Sequence, residues 1–191
     1  MNKKAVNSTL TVHGLFLLGI LAFLSSGCGT KSFASIRPGI EAQGHYIGGV
    51  PFFRQTAYDC GPAALAGILA FYGRPVDLEA MTASIYLPKL RGTLPMDLER
   101  YAKESGLKTA SSDGNDVALK SAVRSNIPVI CLLDLGFGPY RQPHYVTVIG
   151  FDDGNGLFVM HDGITPDKTM FYEAFEKKWL RAGRWMIVIK P

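Results

Sequence analysis

Cysteine is scarce in this chain. Its 191 residues hold three, Cys28, Cys60 and Cys131, too few for a disulfide framework, so each needs its own explanation. Charge is sparse as well, at 19% of residues against 47% apolar. That balance excludes global disorder and supports a proper core, and the length suits one ordinary domain. There is no basic run and no basic–aromatic stripe, which removes nucleic acid from the partners expected. The sequence contains no internal repeat, no Gly-x-x-x-x-Gly-Lys-Ser/Thr phosphate loop and no array of membrane spans. Asp152-Asp153-Gly154-Asn155-Gly156 has oxygen ligands but neither EF-hand spacing nor a closing glutamate, so it reads as a hairpin turn. No metal and no cofactor are expected.

Residues 1–27 read as a signal peptide. Lys3 and Lys4 form a positive start, and Leu10 to Leu24 is an apolar run interrupted by Thr11, His13 and two glycines. The run is short for a membrane span. Leu24-Ser25-Ser26-Gly27-Cys28 resembles the bacterial lipobox, with the leucine one place further upstream than in its commonest pattern. The resemblance implies cleavage before Cys28 and lipidation of its sulfur, leaving the product anchored to the bacterial cell envelope and not spanning it. The bland alternative is plain secretion with a free thiol at Cys28. The formal charge of +4 includes Lys3 and Lys4, so +2 remains after cleavage and constrains no partner. Residues 28–45, rich in Gly, Ser and Thr, are expected to be a linker, with the folded domain spanning 46–191.

Within that domain, helices come first. Pro62 suits a first helical turn, Ala63 to Phe71 is almost wholly apolar, and Gly73 is a stop. A helix apolar all round belongs inside a domain. Further helices are expected over Val76–Tyr86, Pro95–Ser105 and, capped by Asn115 or Asp116, Val117–Arg124. A short strand falls near Leu107–Ala110. From Asn126 the period changes. Pro128–Leu133, His144–Phe151 and Leu157–His161 read as strands, the last two joined by the tight turn, followed by a helix over Tyr172–Leu180 and a strand over Arg184–Ile189. The layout is α+β, a helical part packed on a mainly antiparallel sheet.

Cys60 begins the apolar helix, where free N–H groups and the positive helix end favour a thiolate. A cysteine nucleophile needs a base, and the base needs orienting. His144 starts a strand after a Gly/Pro-rich loop, and hairpin geometry sets it opposite residues 162–163. Asp162 is therefore expected to take the Nδ1 proton of His144 and leave Nε2 for Cys60. Gln55, in the loop feeding the helix, has an amide that suits an oxyanion, together with the Cys60 N–H. His161 is expected to face away from this site, Cys131 to be a small core residue, and Asp59 to stabilise the turn before the helix.

Pro51-Phe52-Phe53-Arg54-Gln55, Asp59-Cys60-Gly61-Pro62-Ala63-Ala64-Leu65, His144-Tyr145-Val146-Thr147-Val148-Ile149-Gly150-Phe151 and Asp162-Gly163 together resemble the bacteriocin-processing (double-glycine) cysteine peptidase family of the papain-like clan. The resemblance covers most of residues 50–165. It implies a papain-like fold, with Cys60 as nucleophile, His144 as general base and acid, Asp162 as orienter and Gln55 as oxyanion donor. The family's known members include domains of ATP-driven exporters that clip leader peptides after Gly-Gly. This chain is expected to be a free-standing, lipid-anchored relative acting on an exported peptide or protein, beside a separate exporter or assembly machinery. Two departures stand out: Gln55 is one residue closer to the cysteine than in many papain-like enzymes, and glycine follows Asp162 where proline is frequent. Two other functions fit the same residues: an acyltransferase or amidase using the same thioester, and a catalytically inactive peptide-binding module.

Overall fold

The computed structural model describes residues 31–56 and 58–191. The signal segment and Cys28 lie outside them. The first element is a helix, α1 (Phe33–Gln43), followed by a short strand, β1 (Gly44–Tyr46). The expected linker is thus largely helical. The reason is a stripe at helical spacing: Phe33 stacks on Tyr46 with ring centroids 4.7 Å apart, and Ile36 and Ile40 are buried. Burying each isoleucine contributes about 1.5–3 kcal/mol, which outweighs the poor propensity of Pro38 and Gly39.

Three helices follow: α2 (Cys60–Phe71), α3 (Leu78–Ile85) and α4 (Pro95–Glu104). Pro62 lies in the first turn of α2, and Gly73 ends it at φ +68° with its N–H on Ala70 O. Asp77 caps α3 by accepting from Ala80 N at 3.0 Å. Next come β2 (Lys108–Asp113) and α5 (Asp116–Arg124), the latter capped by Asn115, which accepts from Ala118 N at 2.9 Å. The chain ends with β3 (Val129–Asp134), β4 (Pro143–Asp152), β5 (Leu157–His161), β6 (Lys168–Phe171), α6 (Tyr172–Arg181) and β7 (Trp185–Lys190). Strand β6 has no counterpart in the sequence reading. Its four residues are exposed or half-buried and carry no apolar alternation.

The seven strands among the described residues join one antiparallel sheet in the order β2-β7-β3-β4-β5-β6, with β1 pairing with the far end of β4. Alternate residues of β3 face opposite ways. Val129, Cys131 and Leu133 join a core formed with α1, α5 and α6, whereas Ile130 joins a second core formed with α2, α3 and α4. A strand covered on both faces reads as a continuous apolar run, as Val129–Leu133 does. Trp179 and Phe175 of α6 anchor the first core, their rings 5.4 Å apart. Among the described residues no helix is long and apolar enough to cross a membrane.

Candidate active site

Helix α2 delivers Cys60 as its first residue. Asp59 precedes it, buried, and accepts from Thr56 Oγ1 at 2.9 Å, while its carbonyl takes the Ala63 N–H. The turn role expected of Asp59 is the one it has. Tyr58 adopts φ +72°, an uncommon and strained conformation for a bulky residue. It closes the chain tightly onto the helix start.

Strand β4 delivers His144 as its second residue, two positions from the place where β3 begins to diverge into the loop 135–142. Cys60, His144 and Gln55 line one cleft of about 630 Å³. Its walls include Tyr58, Leu90, Leu94 and Leu132, with Arg91 and Arg141 as the charged members. The sequence reading did not find these walls. Leu90, Arg91, Leu94 and Arg141 come from loops 87–94 and 135–142, whose composition carries no periodic signal. Tyr145 ties the first loop to the sheet, donating its hydroxyl to Thr93 O at 3.0 Å.

Asp162 reaches His144, but not as expected. Cα pairing of β4 with β5 runs from Asp152↔Leu157 to Thr147↔His161, with a bulge between Val148 and Gly150. The bulge shifts the register, so a direct extrapolation from the turn misplaces the partner of His144. The chain leaves the strand after His161 and turns back. The Nε2 of His144 is 2.8 Å from the main-chain oxygen of Asp162. A carbonyl only accepts, so Nε2 carries the proton and Nδ1 is the basic nitrogen of the neutral ring. The expected nitrogen roles are therefore reversed. The Asp162 carboxylate turns elsewhere: it accepts from Ile164 N at 2.9 Å, Thr165 N at 2.6 Å and Lys168 Nζ at 2.6 Å. The Lys168 contact is one that the sequence did not signal, since it sits in the unpredicted β6.

Gln55 is held from the same turn. Its N–H donates to Gly163 O at 2.8 Å. Its side chain lies across the bare Cα of Gly163, which has φ +77°: a Cβ there would be 3.0 Å from Gln55 Cδ, 3.1 Å from Cγ, and would overlap Oε1. The glycine after Asp162 thus makes room for the glutamine.

Burial dominates the titration of the pair. It pushes the Cys60 thiol up, against the N–H groups of Tyr145, Gly61 and Cys60 itself, and Asp59 adds to the rise. The helix-start effect expected of Cys60 is present but is outweighed. Burial likewise lowers His144, opposed by the Asp162 carbonyl and charge and assisted by Lys168. Both shifts favour the neutral forms of thiol and imidazole. Burial alone would raise the Asp162 carboxyl, but Lys168 and the Thr165 and Ile164 N–H groups hold it below the ordinary range.

The other sequence assignments settle outside the cleft. His161 faces away, its Nε2 3.0 Å from Val50 O. Cys131 is fully buried in the sheet core, and burial drives its thiol far up. Asp152 folds the hairpin turn by accepting from Asn155 N at 3.0 Å, and Asp153 pairs with Lys120 and Arg124. No group of three metal-ligating side chains occurs among the described residues.

Comparison with known proteins matches this architecture. The peptidase domain of Streptococcus ComA, a bifunctional ABC transporter of a quorum-sensing pathway, aligns with TM-score 0.61 and 24% identity over 75% of this chain and 99% of that domain. A putative C39-like peptidase from Bacillus anthracis aligns at 0.63 and 20%, over 78% and 98%. A double-glycine-motif protease from an AMS/PCAT transporter, solved with its leader peptide, aligns at 0.62 and 22%, over 77% and 94%. These likenesses show the fold. No curated protein sequence matches the chain. The Peptidase_C39 like family matches over residues 47–187, from the end of β1 into β7, and the chain belongs to that family.

Proposed function

We propose that this protein is a cysteine peptidase of the double-glycine leader-peptidase type, acting on a peptide bond of an exported peptide or protein. The observation that carries the reading is the fixed tautomer of His144 in the cleft that Cys60 also lines. With Nε2 held on a carbonyl, Nδ1 is free to take the Cys60 proton. The thiolate then attacks the scissile carbonyl carbon. The oxyanion is held by the Cys60 N–H at the helix start and by the amide NH₂ of Gln55. His144 returns its proton to the leaving amine, and water hydrolyses the thioester. The apolar walls and the leader-peptide complex of the AMS/PCAT protease support a peptide as substrate.

The same reading places the enzyme at the cell envelope, tethered through Cys28 and working beside a separate exporter or assembly machinery. The composition of residues 1–28 supports this.

The test is capture. A Cys60→Ala variant is expressed in the native envelope, bound polypeptides are identified by mass spectrometry, and synthetic peptides spanning their junctions are offered to the native enzyme. Cleavage by the native chain and none by Cys60→Ala is expected. Equal hydrolysis by both would overturn the proposal, and an acyl group appearing on an added amine would make the protein a transferase.

A further inference from the structure

The turn after β5 holds the base and the oxyanion residue with two successive main-chain oxygens. Asp162 O meets His144 Nε2 and Gly163 O meets Gln55 N, both at 2.8 Å. We propose that Asp162 orients His144 through its main-chain carbonyl, and that its carboxylate, clamped by Lys168, serves to fix the turn, which makes Lys168 a positioning residue of the site. This inference rests on the peptidase reading above.

The carboxylate is already occupied. One oxygen accepts from both Ile164 N and Thr165 N, and the other accepts from Lys168 Nζ at 2.6 Å. The Asp162 side chain is only 6% exposed, so these donors and not bulk water satisfy its oxygens. Swinging the carboxylate to the imidazole would give up two main-chain donors and a charge-assisted bond for a single new one. It would also release Ile164 N, and with it the Gly163–Ile164 peptide, whose carbonyl carries the Gln55 contact. Gly163, at φ +77°, supplies the backbone conformation at this corner. Asp162 N on Thr165 O at 3.4 Å completes the loop. A carboxylate paired with an ammonium also presents little net charge to the imidazole, whereas the carbonyl fixes the tautomer with a directed bond.

Two measurements test this on the full-length chain in detergent micelles. The first is NMR of ¹⁵N-imidazole-labelled protein, which needs no substrate. Asp162→Asn keeps the carbonyl and is expected to keep His144 as the Nε2–H tautomer. A change of tautomer, or loss of the hydrogen-bonded Hε2 resonance, in a folded Asp162→Asn protein would overturn the proposal. The second is kinetic, on a cleaved peptide. Lys168→Met, Asp162→Asn and their double variant open the same clamp. Each is expected to lower kcat by a similar factor, about threefold to tenfold, with KM little changed and the double no worse than the singles. Lys168→Arg restores the rate. A Lys168→Met enzyme as fast as the native one, beside an Asp162→Asn enzyme slowed a hundredfold or more, would mean that the carboxylate acts on His144 directly. Should Asp162→Asn fail to fold, Lys168→Met against Lys168→Arg decides alone. Should no peptide be cleaved, the peptidase reading fails while the tautomer result still stands.

Discussion

His144 donates its Nε2–H in a hydrogen bond to the main-chain oxygen of Asp162 at 2.8 Å, and the next carbonyl in the chain holds Gln55. The proposed base and the proposed oxyanion donor are therefore set by one corner, with Gly163 at its apex. Gly163→Ala places a methyl group against the Gln55 amide, in a backbone conformation that an L-residue adopts with strain. We expect kcat to fall by about 10²-fold, the order lost with an oxyanion donor, and KM to change little. Gln55→Ala should fall similarly, and the double variant no further. Steady-state kinetics of the three variants decide it. A fully active Gly163→Ala enzyme would remove Gln55 from the mechanism.

Burial raises the Cys60 thiol and lowers His144, which favours a neutral resting pair. Alkylation of Cys60 by iodoacetamide should thus keep rising with pH through about 9, beyond the ordinary thiol value, with no plateau near neutrality. Peptide cleavage needs neutral His144 as base, so the acid limb of kcat/KM should lie below about 6.5. The sign for stability follows. The folded ring holds its proton less tightly than the unfolded one, so its contribution is intact above about 6.5 and is lost as pH falls through the folded value. A flat alkylation rate from pH 5 to 8 would instead mean a preformed thiolate–imidazolium pair.

Gly67 lies in the middle of α2 with no room for a side chain, since a Cβ would come within 2.8 Å of Pro51 O. The neighbour is backbone and cannot swing aside. Gly67→Ala should destabilise the fold by about 1–3 kcal/mol despite alanine's better helix propensity. Denaturant unfolding measures this. A more stable variant would show that the 51–55 segment yields freely, and with it the placement of Gln55.

Asp134 closes the loop that leads into His144. Its buried carboxylate accepts from Gly136 N and Gln142 N at 2.9 Å and pairs with Arg141 at 2.8 Å and Arg181 at 3.0 Å. Those four donors overcome burial and hold it well below the ordinary carboxylate range. Asp134→Asn leaves two guanidinium groups without their counter-charge and should cost about 3 kcal/mol. Thermal melts near neutral pH test the size of the loss. Leu133↔His144 and Asp134↔Pro143 pair across β3 and β4, so a parallel fall in kcat is expected as well.

Anchoring is read from residues 1–28 alone. Labelling cells with a radioactive fatty acid should mark the native protein, and Cys28→Ser should lose the label and leave the membrane fraction. An unlabelled native protein would return Cys28 to the reading of plain secretion.

Local sequence was enough where one segment's own chemistry decides its form. Pro62 and Gly73 bracket α2, Asn115 caps α5, and the turn at Asp152–Gly156 folds the β4–β5 hairpin. The choice of Cys60, His144, Asp162 and Gln55 needed only residue type, chain order and family resemblance. Three things required the folded chain, because each depends on residues distant in sequence. The segment 33–43 is a helix only because Ile36 and Ile40 find the core beneath the sheet, against the weak propensity of Pro38 and Gly39. The partner atom of His144 follows from a bulge and a turn that no hydrophobic pattern encodes. The role of Lys168 exists only because β6, an exposed strand without alternation, returns alongside β5 and brings its ammonium onto Asp162. Periodicity records which face of a segment is buried. It does not record which atom of a turn will meet a side chain from another strand, and that is what decided this site.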